Sequence, residues 1–285
     1  MALASDGQYV PGSQAGQRLG DGALAIADEK AAILQGLQPN GVAVLPADTP
    51  LLPRLRAAAG DARIVTFGMA PEADVRLLHL SMDAEGSDVT AAFADERLRF
   101  RLRAPGRHMA VNALAAIAAA AMLADAAPEL IVHAPENFAP VAGRGVRRPI
   151  DVPGGAALLL DESYNGNPAS MRAALAVLRL QPARRRIAVL GDMLELGDAA
   201  AAEHRSLAAD VAAAANCVFA CGPLMRSLYD SVPAAIRTAY AADSAALAPM
   251  VARAIAPGDA VLIKGSLGSR MKLVVDALHS HATAA

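Results

Sequence analysis

"LLLDESYNGNPASMRAALAVL", residues 158–178, decides how the second half of this chain is read. The leucines form a short apolar run of the kind that fills a buried strand. Asp161 and Glu162 close it, a polar turn of Ser163, Tyr164, Asn165 and Asn167 follows, and from Pro168 the apolar spacing becomes helical. Asn167 followed by Pro168 is an N-cap and first-turn pair, which accounts for those two without a ligand. Capping leaves Asp161, Glu162, Ser163, Tyr164 and Asn165 unexplained. The corner therefore reads either as one wall of a ligand cleft or as an elaborate turn.

The same rhythm continues to the end of the chain. Apolar strands end near Leu160, Leu190, Ala220 and Ile263, each followed by a Gly- or Asn-bearing turn and most by a helix. Strands alternating with helices give an α/β fold with a doubly wound parallel sheet. Ligands of such sheets gather outside the carboxyl ends of the strands. Three corners there carry the polar residues: Asp161–Asn167, Gly191–Gly197 and Lys264–Gly268. Asp192, within the second corner, and His204 are weaker candidates that read first as structural.

Before residue 150 the pattern is less regular. Residues 1–20 are rich in Gly, Ser and Gln and read as a loose tail. Residues 24–37 have helical spacing, ended by Gly36, Pro39 and Gly41. "GVAVLPADTP" reads as a strand entering a turn, residues 50–59 as a short helix and "ARIVTFG" as another strand. Residues 74–103 alternate and are expected to form a small antiparallel sheet. "PGRHMAVNALAAIAAAAML" restarts a helix, a shorter helix follows, and "FAPVAGRGVRRPIDVPGG" has the composition of a linker. The expected organisation is a tail over 1–20, one domain over 21–149 and a second over 150–285.

Bulk composition limits the function classes. At 285 residues the chain can bury two ordinary cores. With 26 basic against 28 acidic residues, nothing argues for nucleic acid or a charged membrane surface. No apolar run reaches the roughly 18 residues of a membrane span, and residues 113–124 read as a buried helix. The start lacks a basic segment followed by an apolar core, so a cytoplasmic location is expected. Cys217 and Cys221 have too few His or Cys neighbours for a metal site and read as thiols.

Taken together, "IADEKAAIL", "APGRHMAVNALAA", "APVAGRG", "LLLDESYNGNPASMRAAL", "AVLGDMLELG" and "VLIKGSLGSRM" resemble the Mur ligases. They stand in family order across residues 24–280, and "DESYNGNPASM" with "GDMLELG" is closest to the MurF type. The resemblance implies the later part of a central ATP-binding domain followed by a Rossmann-like C-terminal domain. It implies ATP and Mg²⁺ as cofactors, and UDP-MurNAc-tripeptide and D-Ala-D-Ala as partners. A substrate carboxylate is phosphorylated and the dipeptide amine then attacks the acyl phosphate, with the nucleotide held in register and positive charge around the phosphoryl group.

The resemblance also assigns roles. Lys30 matches a lysine carried as a carbamate, which would offer oxygen to Mg²⁺. His108 and Asn112 match a helix start near the adenine, with Met109 where asparagine is usual. Arg144 matches an arginine that reaches the nucleotide phosphates, and Asp161 a carboxylate that accepts from the ribose hydroxyls. Ser163, Tyr164 and Asn165 would line the same cleft, where Lys264 meets substrate carboxylate or phosphate. Solvation, capping and packing are the plain alternatives for Lys30, Arg144, His108 and Asn112, and a buried strand-end position is the plain alternative for Lys264. A phosphate-cradling loop needs a lysine directly after a glycine, yet Lys30 follows Glu29, Lys264 follows Ile263 and Lys272 follows Met271. The expectation is a ligase chain inactive by itself, with an open sheet edge that invites a partner chain, or else a nucleotide- or D-Ala-D-Ala-binding remnant without catalysis.

Overall fold

The structure is a computed structural model and describes residues 21–124 and 127–283; the tail expected over 1–20 lies outside them. The chain divides into two compact units, one reaching to Phe138 and the other starting at Ala139.

In the first unit, helix α1 (Asp21–Ala31) tightens into a 3₁₀ turn over Ala32–Gly36. Strand β1 (Val42–Pro46), helix α2 (Leu52–Ala59) and strands β2 (Arg63–Gly68), β3 (Val75–Met82), β4 (Ser87–Phe93) and β5 (Glu96–Leu102) follow. The five strands lie in chain order, β1 to β3 parallel and β3 to β5 antiparallel. The antiparallel set expected over 74–103 is thus not a separate sheet. Asp74 accepts from both the N–H and the hydroxyl of Thr66, each at 2.7 Å, which draws β3 alongside the end of β2. Helix α3 (Arg107–Ala124) packs Ala110, Leu114, Ile117 and Ala121 onto Val44, Phe67, Val89 and Phe100. It is the one described helix long and apolar enough to cross a membrane, and this packing accounts for its apolar character. The unit ends with the short helix α4 (Pro128–Ile131) and a 3₁₀ turn at Ala134–Asn137.

The second unit runs β6 (Val146–Val152), β7 (Gly155–Glu162), α5 (Pro168–Leu180), β8 (Arg185–Gly191), α6 (Ala200–Ser206), α7 (Ala208–Ala214), β9 (Cys217–Cys221), α8 (Arg226–Tyr229), β10 (Arg237–Ala241), α9 (Ser244–Ala254), β11 (Asp259–Lys264) and α10 (Lys272–Thr283). Its sheet has the order β10-β9-β8-β11-β7-β6, parallel except for β6. Residues 146–152, expected to be linker, form an edge strand. An edge is where Pro149, without an N–H, can sit opposite Leu158. Alternate residues of the parallel strands feed two cores. Leu160, Leu190 and Leu262 meet α5, α7 and α8 on one face. Leu159, Val189 and Ile263 meet α9 and α10 on the other. Neighbouring strands β8 and β11 therefore send the chain to opposite faces, which opens a switch point at their carboxyl ends.

Candidate functional site

The corner after β7 is built from the backbone outward. Asn167 caps α5 by accepting from the Ser170 N–H at 2.8 Å, and the Ser170 hydroxyl accepts from the Asn167 N–H at 3.0 Å. This reciprocal box starts the helix and turns the chain sharply. Gly166 lies so close to the turn after β11 that an added Cβ would stand 2.9 Å from the Gly265 carbonyl carbon. Only glycine lets the two backbones meet.

Asp161 is buried, and its oxygens are used inside the chain. Oδ1 accepts from the Ser163 hydroxyl at 2.6 Å and N–H at 3.1 Å, and Oδ2 accepts from the Gly143 N–H at 3.2 Å. The carboxylate expected to meet ligand hydroxyls thus fastens the Gly143–Gly145 turn to the end of β7, and the Ser163 hydroxyl is committed to it. Asn165 is exposed; its side-chain oxygen accepts from the Gly166 N–H at 2.8 Å.

Glu162, one step along the strand, points the opposite way from Asp161. The register sets it beside Lys264. The Lys264 ammonium donates to the Asn165 carbonyl at 2.9 Å and lies 3.6 Å from the Glu162 carboxylate. Their side chains are 3% and 20% exposed, so the pair is desolvated but reachable at its acidic end. Burial pushes the Glu162 carboxyl above its ordinary range, and Lys264 draws it partly back. Burial likewise pulls the Lys264 ammonium below its ordinary value; Glu162 opposes this, while the positive charge of Arg144 adds to it.

Arg144 is exposed, with its guanidinium 4.1 Å over the centre of the Tyr164 ring. Among the described residues it forms no ion pair. Ser266, buried, joins all three corners: its hydroxyl donates to the Gly166 carbonyl at 2.9 Å and accepts from the Leu194 N–H at 2.9 Å. His204 Nε2 accepts from the Met193 N–H at 3.0 Å, which leaves Nδ1 to donate to the Ala200 carbonyl at 2.6 Å. Asp192 accepts from the Met225 N–H at 2.6 Å. Both side chains thus bind backbone groups at the second corner.

The second unit thus brings together Arg144, Asp161, Ser163, Tyr164, Asn165 and Lys264. Lys30, half-buried in the last turn of α1, and His108 and Asn112, one turn apart and half-buried at the start of α3, belong to the first unit. Met109 packs against the core of that unit. No group of three His, Cys, Asp or Glu that could hold a metal gathers among the described residues. Two residues carried no role in the sequence. Glu162 was legible through the period-2 alternation of a strand, Ser266 only through its place beside Lys264.

Residues 21–120 match the family model of the Mur ligase middle domain, and residues 152–267 that of "Mur ligase, glutamate ligase domain". The chain is 33% identical to the UDP-N-acetylmuramoyl-tripeptide–D-alanyl-D-alanine ligase of Escherichia coli, over 93% of this chain and 58% of that one. It is 32% identical to the enzyme of the same name from Mycobacterium tuberculosis, over 89% of this chain and 54% of the relative. A crystal structure of MurF from Acinetobacter baumannii superposes with a TM-score of 0.75 at 28% identity, covering 90% of this chain and 55% of that one. The chain spans a little over half the length of these relatives.

Proposed function

We propose, for a chain that belongs to the Mur ligase family by its middle and C-terminal domains, that its second unit carries the nucleotide- and amine-binding corner of a MurF-like ligase. The reaction joins D-Ala-D-Ala to UDP-MurNAc-tripeptide. ATP would supply the phosphoryl group that activates the peptide carboxylate as an acyl phosphate. The observation that carries this reading is the corner itself: Lys264 and Arg144 present two cations, one buried and one exposed, beside the carboxylate of Glu162.

The residues present fit an anionic nucleotide in one respect. The planar Arg144 fork keeps its N–H donors for oxyanions such as phosphate. Glu162, with one end reachable, is the carboxylate open to ribose hydroxyls, and Asp161 holds the arginine turn in place. Asn165 offers an exposed carboxamide to the dipeptide. Lys264, fixed by Asn165 and Glu162, stabilises negative charge that develops on the acyl group. The first unit carries the residues that the resemblance assigns to a base, His108 and Asn112, and to a carbamate, Lys30. Among the described residues no group of three His, Cys, Asp or Glu gathers that could hold Mg²⁺, so the fit to the metal is poor there. No step is therefore derived through the metal.

No glycine–lysine pair occurs in the 285 residues, so they do not themselves provide the phosphate-cradling turn. Positioning dominates phosphoryl transfer. The reading is therefore binding without turnover for this polypeptide by itself. A calorimetric titration with ATP and with D-Ala-D-Ala, beside a phosphate-release assay with UDP-MurNAc-tripeptide, tests it. Binding with background phosphate release is expected. Stoichiometric phosphate and amide formation would overturn the inactivity, and no binding of either ligand would overturn the site.

A further inference from the structure

We propose that Tyr164 is the positioning residue of Arg144: its ring holds the guanidinium in place before any anion arrives. The inference rests on the assignment of Arg144 to nucleotide phosphate. It begins from a feature that the reading above leaves unexplained, a tyrosine 44% exposed whose hydroxyl makes no hydrogen bond among the described residues. A tyrosine kept for its hydroxyl would use it, and one kept for packing would be buried. This ring has one distinctive neighbour, the Arg144 guanidinium carbon 4.1 Å above its centre.

The backbone fixes both ends of the stack. The Tyr164 N–H donates to the Gly143 carbonyl at 3.1 Å, and the Gly145 N–H donates to the Asp161 carbonyl at 2.9 Å. Gly143 has φ +76°, and an added Cβ there would stand 3.0 Å from the Tyr164 Cβ. A side chain at residue 143 would thus strain the turn and press the ring out of register. An arginine free in solvent samples many rotamers, and each must be given up on binding. Stacking on a ring face restricts that sampling while the in-plane N–H donors stay open. The ring thus works through the arginine and needs only its face. Phenylalanine serves as well as tyrosine.

The test compares the wild-type chain with Tyr164→Phe, Tyr164→Leu and Arg144→Ala, each checked for native far-UV dichroism. Two quantities are read: the ring-current shift of the Arg144 side-chain proton resonances, and the affinities for ADP and adenosine. The expected result is an upfield Arg144 shift in wild type and Tyr164→Phe that is lost in Tyr164→Leu. ADP binding should weaken about threefold in Tyr164→Leu alone of the two tyrosine variants, with adenosine binding unmoved. An unchanged Arg144 shift and ADP affinity in Tyr164→Leu overturn the proposal. Adenosine binding that falls with ADP overturns it too, because the ring would then be holding the base. Loss of the shift together with ADP affinity insensitive to Arg144→Ala overturns the phosphate assignment and leaves the stacking, so the two failures read differently.

Discussion

Lys264 and Glu162 show how much one register position decides. Each sits at the last residue of its strand, and the parallel ladder sets them side by side. A pair taken this far out of water contributes little net stability, since attraction roughly repays desolvation, but removing one partner leaves the other charge uncompensated. Lys264→Met should therefore cost about 3–5 kcal/mol near neutral pH. The sign with pH follows from Glu162, whose carboxyl is already raised by burial and loses the counter-pull of Lys264. A group raised in the folded state favours folding below its unfolded value and loses that contribution as pH rises through the folded one. Denaturant unfolding of Lys264→Met should show a larger loss at pH 8 than at pH 5, and Glu162→Gln/Lys264→Met should show no such difference. Equal losses at both pH values in the single variant would refute the coupling. The same alternation explains what could be read at this corner without coordinates. Its polar wealth was visible, and Asn167 read correctly as a cap. Which carboxylate faced Lys264 and which faced Gly143 depends on the strand's register against β11 and β6, and no local pattern around Asp161 states it.

The three turns at the carboxyl end of the second sheet act as one element because Ser266 hydrogen-bonds to two of them from the third. Its neighbours are backbone groups, the Gly166 carbonyl and the Leu194 N–H, with no other hydrogen-bond partner for either among the described residues. Ser266→Ala would strand a buried acceptor and a donor, and a loss of about 1–3 kcal/mol is expected. His204→Ala removes a fully buried ring whose two nitrogens serve the Met193 N–H and the Ala200 carbonyl. The lost contacts and the cavity add, so about 3 kcal/mol is expected. Both values come from urea midpoints at constant m. A midpoint shift in either variant no larger than that of an exposed control such as Arg253→Ala would remove Ser266 or His204 from this role. Among whole elements, the strong apolar strands β7, β8, β9 and β11 announced themselves through continuous burial. β6 and β10 did not, for a shared reason. Both are edge strands, part-exposed and carrying arginine, with a proline in β6. An edge strand owes its conformation to its neighbour's ladder more than to its own pattern.

Alanine dominates the helices of this chain, and aromatic residues are only 3% of it, so its cores are built from many small contacts rather than a few large side chains. Such cores depend on close approach of elements, and a unit is stable when its own layers are complete. The second unit meets that condition: a six-stranded sheet is covered on both faces by helices drawn from residues 168–283. Two buried acids outside the corner are satisfied within the same unit: Asp259 is held by Arg185 at 2.5 Å, and Asp192 accepts from the Met225 N–H at 2.6 Å. A fragment of residues 139–285 should fold by itself, with near-UV dichroism and one unfolding transition that coincides when followed by backbone dichroism and by tyrosine emission. Tyr164, Tyr229 and Tyr240 all lie in this stretch and the chain has no tryptophan, so the emission reports its packing directly. Non-coincident transitions, or dye binding typical of a collapsed state without fixed packing, would mean that the unit borrows stability from elsewhere. The corner of Arg144, Tyr164, Glu162 and Lys264 would then have to be studied only in the full chain.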